Sequence, residues 1–270
     1  MIVDSHVHLL PERLAAKIRR FFVERNAPRM PYPHAPRAAR EALVEAGIGR
    51  CWSLPYAHRS GVAGSLNRWM AETFTGDALV VPGATVHPDD DVRSVIGEAI
   101  EILGLPVFKL HCSVGAFAAD DPRLDPLWET VSETGHPVVV HAGSAHDGTA
   151  TATEVEAVGR VAHRWPGARI IVAHFGAPAA EETLRLLRAH ENLYADLCPV
   201  VADPVHPPRG AIAGLERRIL FGSDTPSVAV TIEDSIAAVA AWKLDPADEE
   251  AVLGGTADRL LAGVRLKAPS

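Results

Sequence analysis

A chain of 270 residues, 47% hydrophobic and 22% charged, is long enough for one large α/β domain and apolar enough to build a sizeable core. A formal net charge of −8 argues against nucleic acid as a partner, and no apolar run approaches the roughly 18 residues that cross a bilayer. Cys51, Cys112 and Cys198 are odd in number and widely spaced; together with the lack of a basic, then apolar stretch ahead of the first strand, this predicts reduced thiols in a cytoplasmic protein with no signal peptide.

The first predicted strand, Met1–His8, ends in Asp4-Ser5-His6-Val7-His8. A helix follows over Pro11–Glu24, where Leu14, Ile18, Phe21 and Phe22 recur every three to four residues. Arg25–Arg37 contains Pro28, Pro31, Pro33 and Pro36, so it cannot be one regular helix and is expected to cap one end of the fold. Strands are then predicted over Arg50–Pro55, Leu79–Val86, Pro106–His111, Pro137–His141, Arg169–His174, Asn192–Leu197 and Arg218–Ser223. Helical patterns lie between them over Leu66–Thr75, Val92–Leu103, Leu124–Thr134, Thr153–Trp165 and Ala180–Ala189, and after them over Ile232–Trp242 and Ala247–Leu261. The stretch Cys198–Gly210, with four prolines, is a second irregular crossover. Val138–Val140 and Ile170–Ala173 are apolar at every position, as in strands covered on both faces. Eight alternations of strand and helix predict a single-domain (β/α)8 barrel. A doubly wound open sheet is the runner-up, but it usually has fewer strands, and no Gly-x-Gly-x-x-Gly follows a strand here.

In such a barrel, functional groups gather where strands end. His6 and His8 are two residues apart on one strand, so both turn inward as a natural pair of metal ligands. His141 and His174 each end an apolar strand, and Asp224 follows Ile-Leu-Phe-Gly-Ser. Taken singly, each histidine is equally well a hydrogen-bonded core residue and Asp224 a helix cap. As a set, three histidines and an aspartate suit Zn2+, or Mn2+ or another divalent ion, with one position open for a water whose pKa falls to about 7. Lys109 and His111 also share an inward face. Lys109 would pair with a substrate carboxylate, or be carbamylated and bridge two ions; His111 would touch substrate or a ligand residue. Arg59 and Arg209 are the loop candidates for holding an anionic substrate. Asp196, ending the seventh strand, is a candidate acceptor for a ligand histidine, and His87 for the pocket lining. His34, His58, His146 and His206 fall in loops and His163 and His190 on helices, and Cys112 should face the barrel–helix layer.

The stretches DSHVHL, GATVHPDD, FKLHC, PLWETVSETGHPVVVHAG, RIIVAHFGAP, NLYADLCP and RILFGSDTP resemble the amidohydrolase superfamily, in particular its amidohydrolase 2 branch of metal-dependent barrel hydrolases and decarboxylases. The resemblance spans Asp4 to Leu261. It implies that His6, His8, His141 and Asp224 hold one metal ion, that His174 is the catalytic acid/base or a ligand of a second ion, and that Asp224 also takes a proton from the attacking water. Some relatives carry a carbamylated lysine where Lys109 stands. Relatives often have Asn where this chain reads Gly254-Gly255-Thr256-Ala257, and Thr256 is expected to cap the last helix instead. The chain is shorter than typical decarboxylases of the branch, which tilts the expectation toward a hydrolase that cleaves an amide, lactone or ester-like bond of a small molecule. Non-oxidative decarboxylation of a small aromatic or unsaturated acid is the alternative, and a non-catalytic metal-holding ligand binder is the third. The expected partner is a small-molecule substrate, with no nucleic acid and no membrane; a homodimer is left open.

Overall fold

The computed structural model describes residues 1–25, 27–142, 152–199, 207 and 209–265. Eight parallel strands follow one another in chain order around a nearly closed barrel: β1 Ile2–Val7, β2 Ile48–Ser53, β3 Val80–Thr85, β4 Val107–His111, β5 Pro137–His141, β6 Arg169–Val172, β7 Leu193–Asp196 and β8 Ile219–Leu220. Around them run α1 Glu12–Glu24, α2 Pro36–Glu45, α3 Ala63–Phe74, α4 Val92–Gly97, α5 Cys112–Gly115, α6 Asp125–Thr134, α7 Ala152–Arg164, α8 Ala180–Ala189, α9 Ile232–Ala240, α10 Pro246–Glu250 and α11 Thr256–Ala262. Among the described residues no helix is long and apolar enough to cross a membrane. His146 and His206, and most of the second proline-rich crossover, lie outside the described residues.

Alternation along the strands sorts side chains into two apolar layers. Val3, Trp52, Val107, Val139, Ile171 and Leu220 fill the barrel, and Ala257 and Leu260 of α11 plug its lower end. Phe108, Leu110, Val138, Val140, Ile170 and Val172, from the same strands, face the helices. Cys112 joins that outer layer, where the sequence reading put it. On β4 and β5 the inward positions after the apolar ones are Lys109, His111 and His141, which lifts polar groups to the mouth.

β1 departs from strict alternation. Val3 belongs to the interior layer and Val7 to the outer one, although they are four residues apart. The pairing of β1 with β2 shifts register between Asp4 and Val7, a one-residue slip that exchanges the faces. This slip turns His6 and His8 inward. The buried Asp4 carboxylate holds it, accepting from the His6 amide (3.1 Å) and the Ser223 amide (3.0 Å). The seam between β8 and β1 closes through Ser5 N–H to Phe221 O (2.9 Å), Asp224 N–H to His6 O (2.8 Å) and His8 N–H to Thr225 O (2.8 Å).

Three details differ from the sequence expectation. The proline-rich stretch after α1 gives way at Pro36 to α2, because Pro at the first helical position costs no hydrogen bond. The helix predicted over Val92–Leu103 continues past α4 as a π turn, Glu98–Ile102. Thr256 does not cap α11; its hydroxyl donates to Arg217 O at 3.1 Å.

Candidate metal centre

The cluster at the mouth is assembled from β1, β4, β5, β7 and the turns after β6 and β8. His174 and Asp224 lie just beyond their strands, with φ of +54° each, in a left-handed conformation that costs energy for any residue but glycine. In that turn the His174 amide donates to Asp196 Oδ1 at 2.7 Å. The other oxygen of Asp196 accepts from His6 Nδ1 at 2.8 Å. Asp196 therefore orients two histidines from one buried carboxylate.

The hydrogen bonds decide the tautomers. A carboxylate and a carbonyl can only accept. His6 Nδ1 must donate to Asp196, and His8 Nδ1, 2.7 Å from Leu54 O, must donate to that carbonyl. Both Nε2 atoms are then acceptors: that of His6 faces Lys109 Nζ at 2.9 Å and lies 3.9 Å from Asp224 Oδ1, and that of His8 lies 3.0 Å from the same oxygen. His174 Nδ1 lies 3.3 Å from Pro199 O, which leaves its Nε2 as a further acceptor. Ligand atoms of His6, His174 and Asp224 lie within 4.8 Å of one another. Lone pairs of nitrogen and carboxylate oxygen that converge in a buried site repel unless a cation lies between them. Their donor set, imidazole nitrogen and carboxylate oxygen, is that of zinc, manganese or a similar divalent ion. A second grouping, His6, Asp196 and Cys198, fits an ion less well, since Asp196 is spent on the far side of His6 and burial, reinforced by Asp196, pushes the Cys198 thiol well up.

The electrostatics agree. Burial, and then the Lys109 charge, push His6 down to about 3, so it is a neutral imidazole at any physiological pH. Burial alone would raise Asp224, but its close contacts with the imidazoles of His8, His174 and His6 hold it well below the usual carboxylate range. Asp196 is likewise held low, against burial, by the hydrogen bond that His6 Nδ1 donates to it. Lys109 is fully buried, and its Nζ lies 2.9 Å from His6 Nε2. Burial lowers it, opposed by Asp196 and Asp224.

His141, the fourth candidate ligand, borders the cluster, and the other sequence candidates stand around it or outside it. His141 stacks on His111 with centroids 3.9 Å apart and meets His174 edge-on at 4.8 Å. His111 in turn lies against Tyr56 at 5.0 Å, and Tyr56 against His8 at 5.3 Å. These rings form a wall beside the cluster. Arg59 is exposed, with its guanidinium on Ser60 O (3.4 Å), and Arg209 is exposed at the start of a short 3-10 turn; neither bonds a cluster side chain. His87 is held by Gly115 O (3.2 Å) and the Asp89 amide (3.2 Å). Sequence reasoning passed over Asp4, Ser223 and Tyr56. Asp4 and Ser223 do stand inside the DSHVHL and FGSDTP stretches, but nothing in a single sequence marks Tyr56, in the loop after β2, as facing the ligand histidines.

The amidohydrolase family model, of the amidohydrolase 2 type, matches residues 3–262. The chain belongs to that family. Solved structures of the same fold include an uncharacterised TIM-barrel protein from Bordetella bronchiseptica, 21% identical over 97% of this chain and 98% of that one, with a TM-score of 0.75. The 5-carboxyvanillate decarboxylase of Sphingomonas paucimobilis is 14% identical over 97% and 98%, TM-score 0.68. A dihydroxybenzoic acid decarboxylase from Polaromonas sp., solved with manganese and 2-nitroresorcinol, is 17% identical over 97% and 96%, TM-score 0.68. None of the curated proteins compared with it matches. As an amidohydrolase, the chain carries its candidate ligand groups at the mouth of the barrel, where enzymes of this architecture work.

Proposed function

We propose that this amidohydrolase is a metal-dependent, non-oxidative decarboxylase of a small aromatic or unsaturated carboxylic acid. The observation that carries the proposal is the row of aromatic rings, Tyr56 tilted against His111 and His111 stacked on His141, beside the ion-binding cluster. Burial above all keeps His111 well below the usual imidazole range, so that ring is neutral and suits a planar conjugated ligand. The named decarboxylases of the same fold support the reading, and the chain spans 98% of one of them, which leaves little force in the expectation of hydrolysis from a shorter chain.

Bound in the cluster, a divalent ion would supply positive charge and Lewis acidity to an acid group or water. The chain's own residues do the rest. Tyr56, His111 and His141 hold the conjugated system flat. His174, with Nδ1 turned to Pro199 O, takes up a proton from solvent at Nε2 and delivers it to the reacting carbon. The bond to the carboxylate carbon then breaks, carbon dioxide leaves, and the bonding pair returns to the conjugated system. His174 recovers its proton from solvent. Hydrolysis is the second reading, favoured by Asp224, which is held ionised beside the cluster and can accept a proton from water attacking an amide or lactone carbonyl.

The test incubates metal-replete protein with planar carboxylic acids labelled with carbon-13 at the carboxyl group, and with lactones in oxygen-18 water. Labelled carbon dioxide is expected. Oxygen-18 in a ring-opened acid, with no carbon dioxide from any acid, selects hydrolysis instead. His174→Ala should keep the ion and lose turnover by a factor of roughly 100 to 10,000, the usual worth of a general acid; loss of the ion in that variant makes His174 a ligand.

A further inference from the structure

The overall negative charge conceals a local reversal. Residues 12–29 carry six basic side chains against two acidic ones, Glu12 and Glu24. Arginines elsewhere, such as Arg68, Arg123 and Arg164, face carboxylates. Arg13, Arg19 and Arg29 have no carboxylate partner among the described residues. All three line one cavity of about 700 Å³ between α1 and the segment 29–35, with Glu12, Tyr32 and His34.

Two features show that the cavity is built. Tyr32 fixes its wall, its hydroxyl donating to Glu233 Oε2 (2.7 Å) and accepting from the Ile232 amide (3.0 Å) at the start of α9. His34 is only 5% exposed, yet neither ring nitrogen has a hydrogen-bond partner. Buried polar groups in proteins are almost always satisfied, so an imbalance of this kind points to a ligand or water that completes it. Burial, then the charge of Arg19, push His34 down to about 4, and the charges of His8 and Asp224 also reach it. His34 therefore belongs to the cavity, whose wall Tyr32 ties to the start of α9, the helix that follows Asp224 in the chain.

We propose that this cavity docks a small dicarboxylic acid, with its carboxylates on Arg13, Arg19 and Arg29 and a hydrogen bond from His34. This rests on the reading of the substrate as a small carboxylic acid. Guanidinium forks match carboxylates two bonds at a time, and three forks exceed what one carboxylate can occupy. The volume is that of a small-molecule pocket. A local cationic field on an anionic protein also concentrates acids at the cavity and repels them elsewhere.

Isothermal titration of the purified protein with isophthalate and with benzoate tests the proposal. Isophthalate should bind at least tenfold more tightly than benzoate. The exposed substitutions Arg13→Gln, Arg19→Gln and Arg29→Gln together should weaken isophthalate at least tenfold, change benzoate less than twofold and flatten the salt dependence of isophthalate binding. Arg19→Gln alone, and His34→Leu, should each weaken it several-fold, with unchanged circular dichroism. Equal affinity for the two acids, or isophthalate binding that survives the arginine substitutions, overturns it. The two proposals fail separately: arginine-dependent binding without carbon dioxide release keeps the docking cavity and rejects decarboxylation, and carbon dioxide release with arginine-independent binding does the reverse.

Discussion

At the scale of single residues, the centre depends on which nitrogen carries a proton. Asp196 receives the Nδ1 proton of His6 and so leaves Nε2 to bind a cation. Asp196→Ala removes that acceptor, and the ring loses both its tautomer and its orientation. Partners of this kind are typically worth about 10–100-fold in metal affinity. The expected result is a protein of unchanged fold that yields its ion to a chelator at correspondingly lower concentration; unchanged affinity would show that the barrel packing alone orients His6. A histidine outside the centre contributes to acid sensitivity. His136 is buried under β5, with Nδ1 2.8 Å from Thr134 Oγ1 and Nε2 unpartnered. Burial pushes it down to about 4. The unfolded chain, with a histidine near 6.5, binds a proton that the native state refuses, so stability present above about pH 6.5 is lost as pH falls toward 4. For about 2.5 pH units of difference the linkage sets an upper bound of about 3 kcal/mol. In His136→Phe that loss disappears: its melting temperature should fall less than the parent's between pH 7 and 4.5. Parallel curves would place the acid sensitivity elsewhere.

At the scale of elements, β1 and β8 carry the site and are the two least regular strands. β8 has only two residues, and Asp224 reaches the cluster from the turn beyond it. Gly222 lies where the two strands touch; a methyl group there would collide with Cys198 Sγ and come within 2.9 Å of His6 Cβ. Gly222→Ala should therefore cost about 1–3 kcal/mol by overpacking and displace His6 along with it. A drop in both melting temperature and ion content is expected, and a stable variant with full ion content would contradict the tight seam. Periodicity alone located all eight strands, since their apolar runs are short and separated by amphipathic helices. It could not see the slip between Asp4 and Val7, because a change of face needs a partner strand to be visible. His174 was legible as a functional residue at the end of an apolar run, but not as part of a left-handed turn, which Asp196 stabilises from 22 residues away. The prolines after α1 masked α2 for the same reason that they mark a loop: Pro36 is tolerated only because it opens the helix.

At the scale of the whole molecule, the ligand-bearing residues are nearly as far apart in the chain as residues can be, from His6 to Asp224, and meet only once the barrel has closed. Residue types and spacing revealed which side chains gather. Their mutual geometry, including Lys109 reaching His6 Nε2, emerges only from closure. A cation held by β1 and by the turn after β8 has no comparable site in the unfolded chain, so its binding free energy adds to that of folding. At a free metal concentration of about 100 times Kd, the gain is about 2.7 kcal/mol. With about 2–4 °C of melting temperature for each kcal/mol in a domain of this size, chelation should lower the midpoint by about 5–10 °C. The shift should vanish in His6→Ala, where the site has lost its central ligand, while Arg59→Gln, on the exposed loop, should keep it. A midpoint indifferent to chelation, in protein shown by elemental analysis to have carried one ion per chain and lost it, would mean that the ion sits on a surface already rigid without it and ties no strands together.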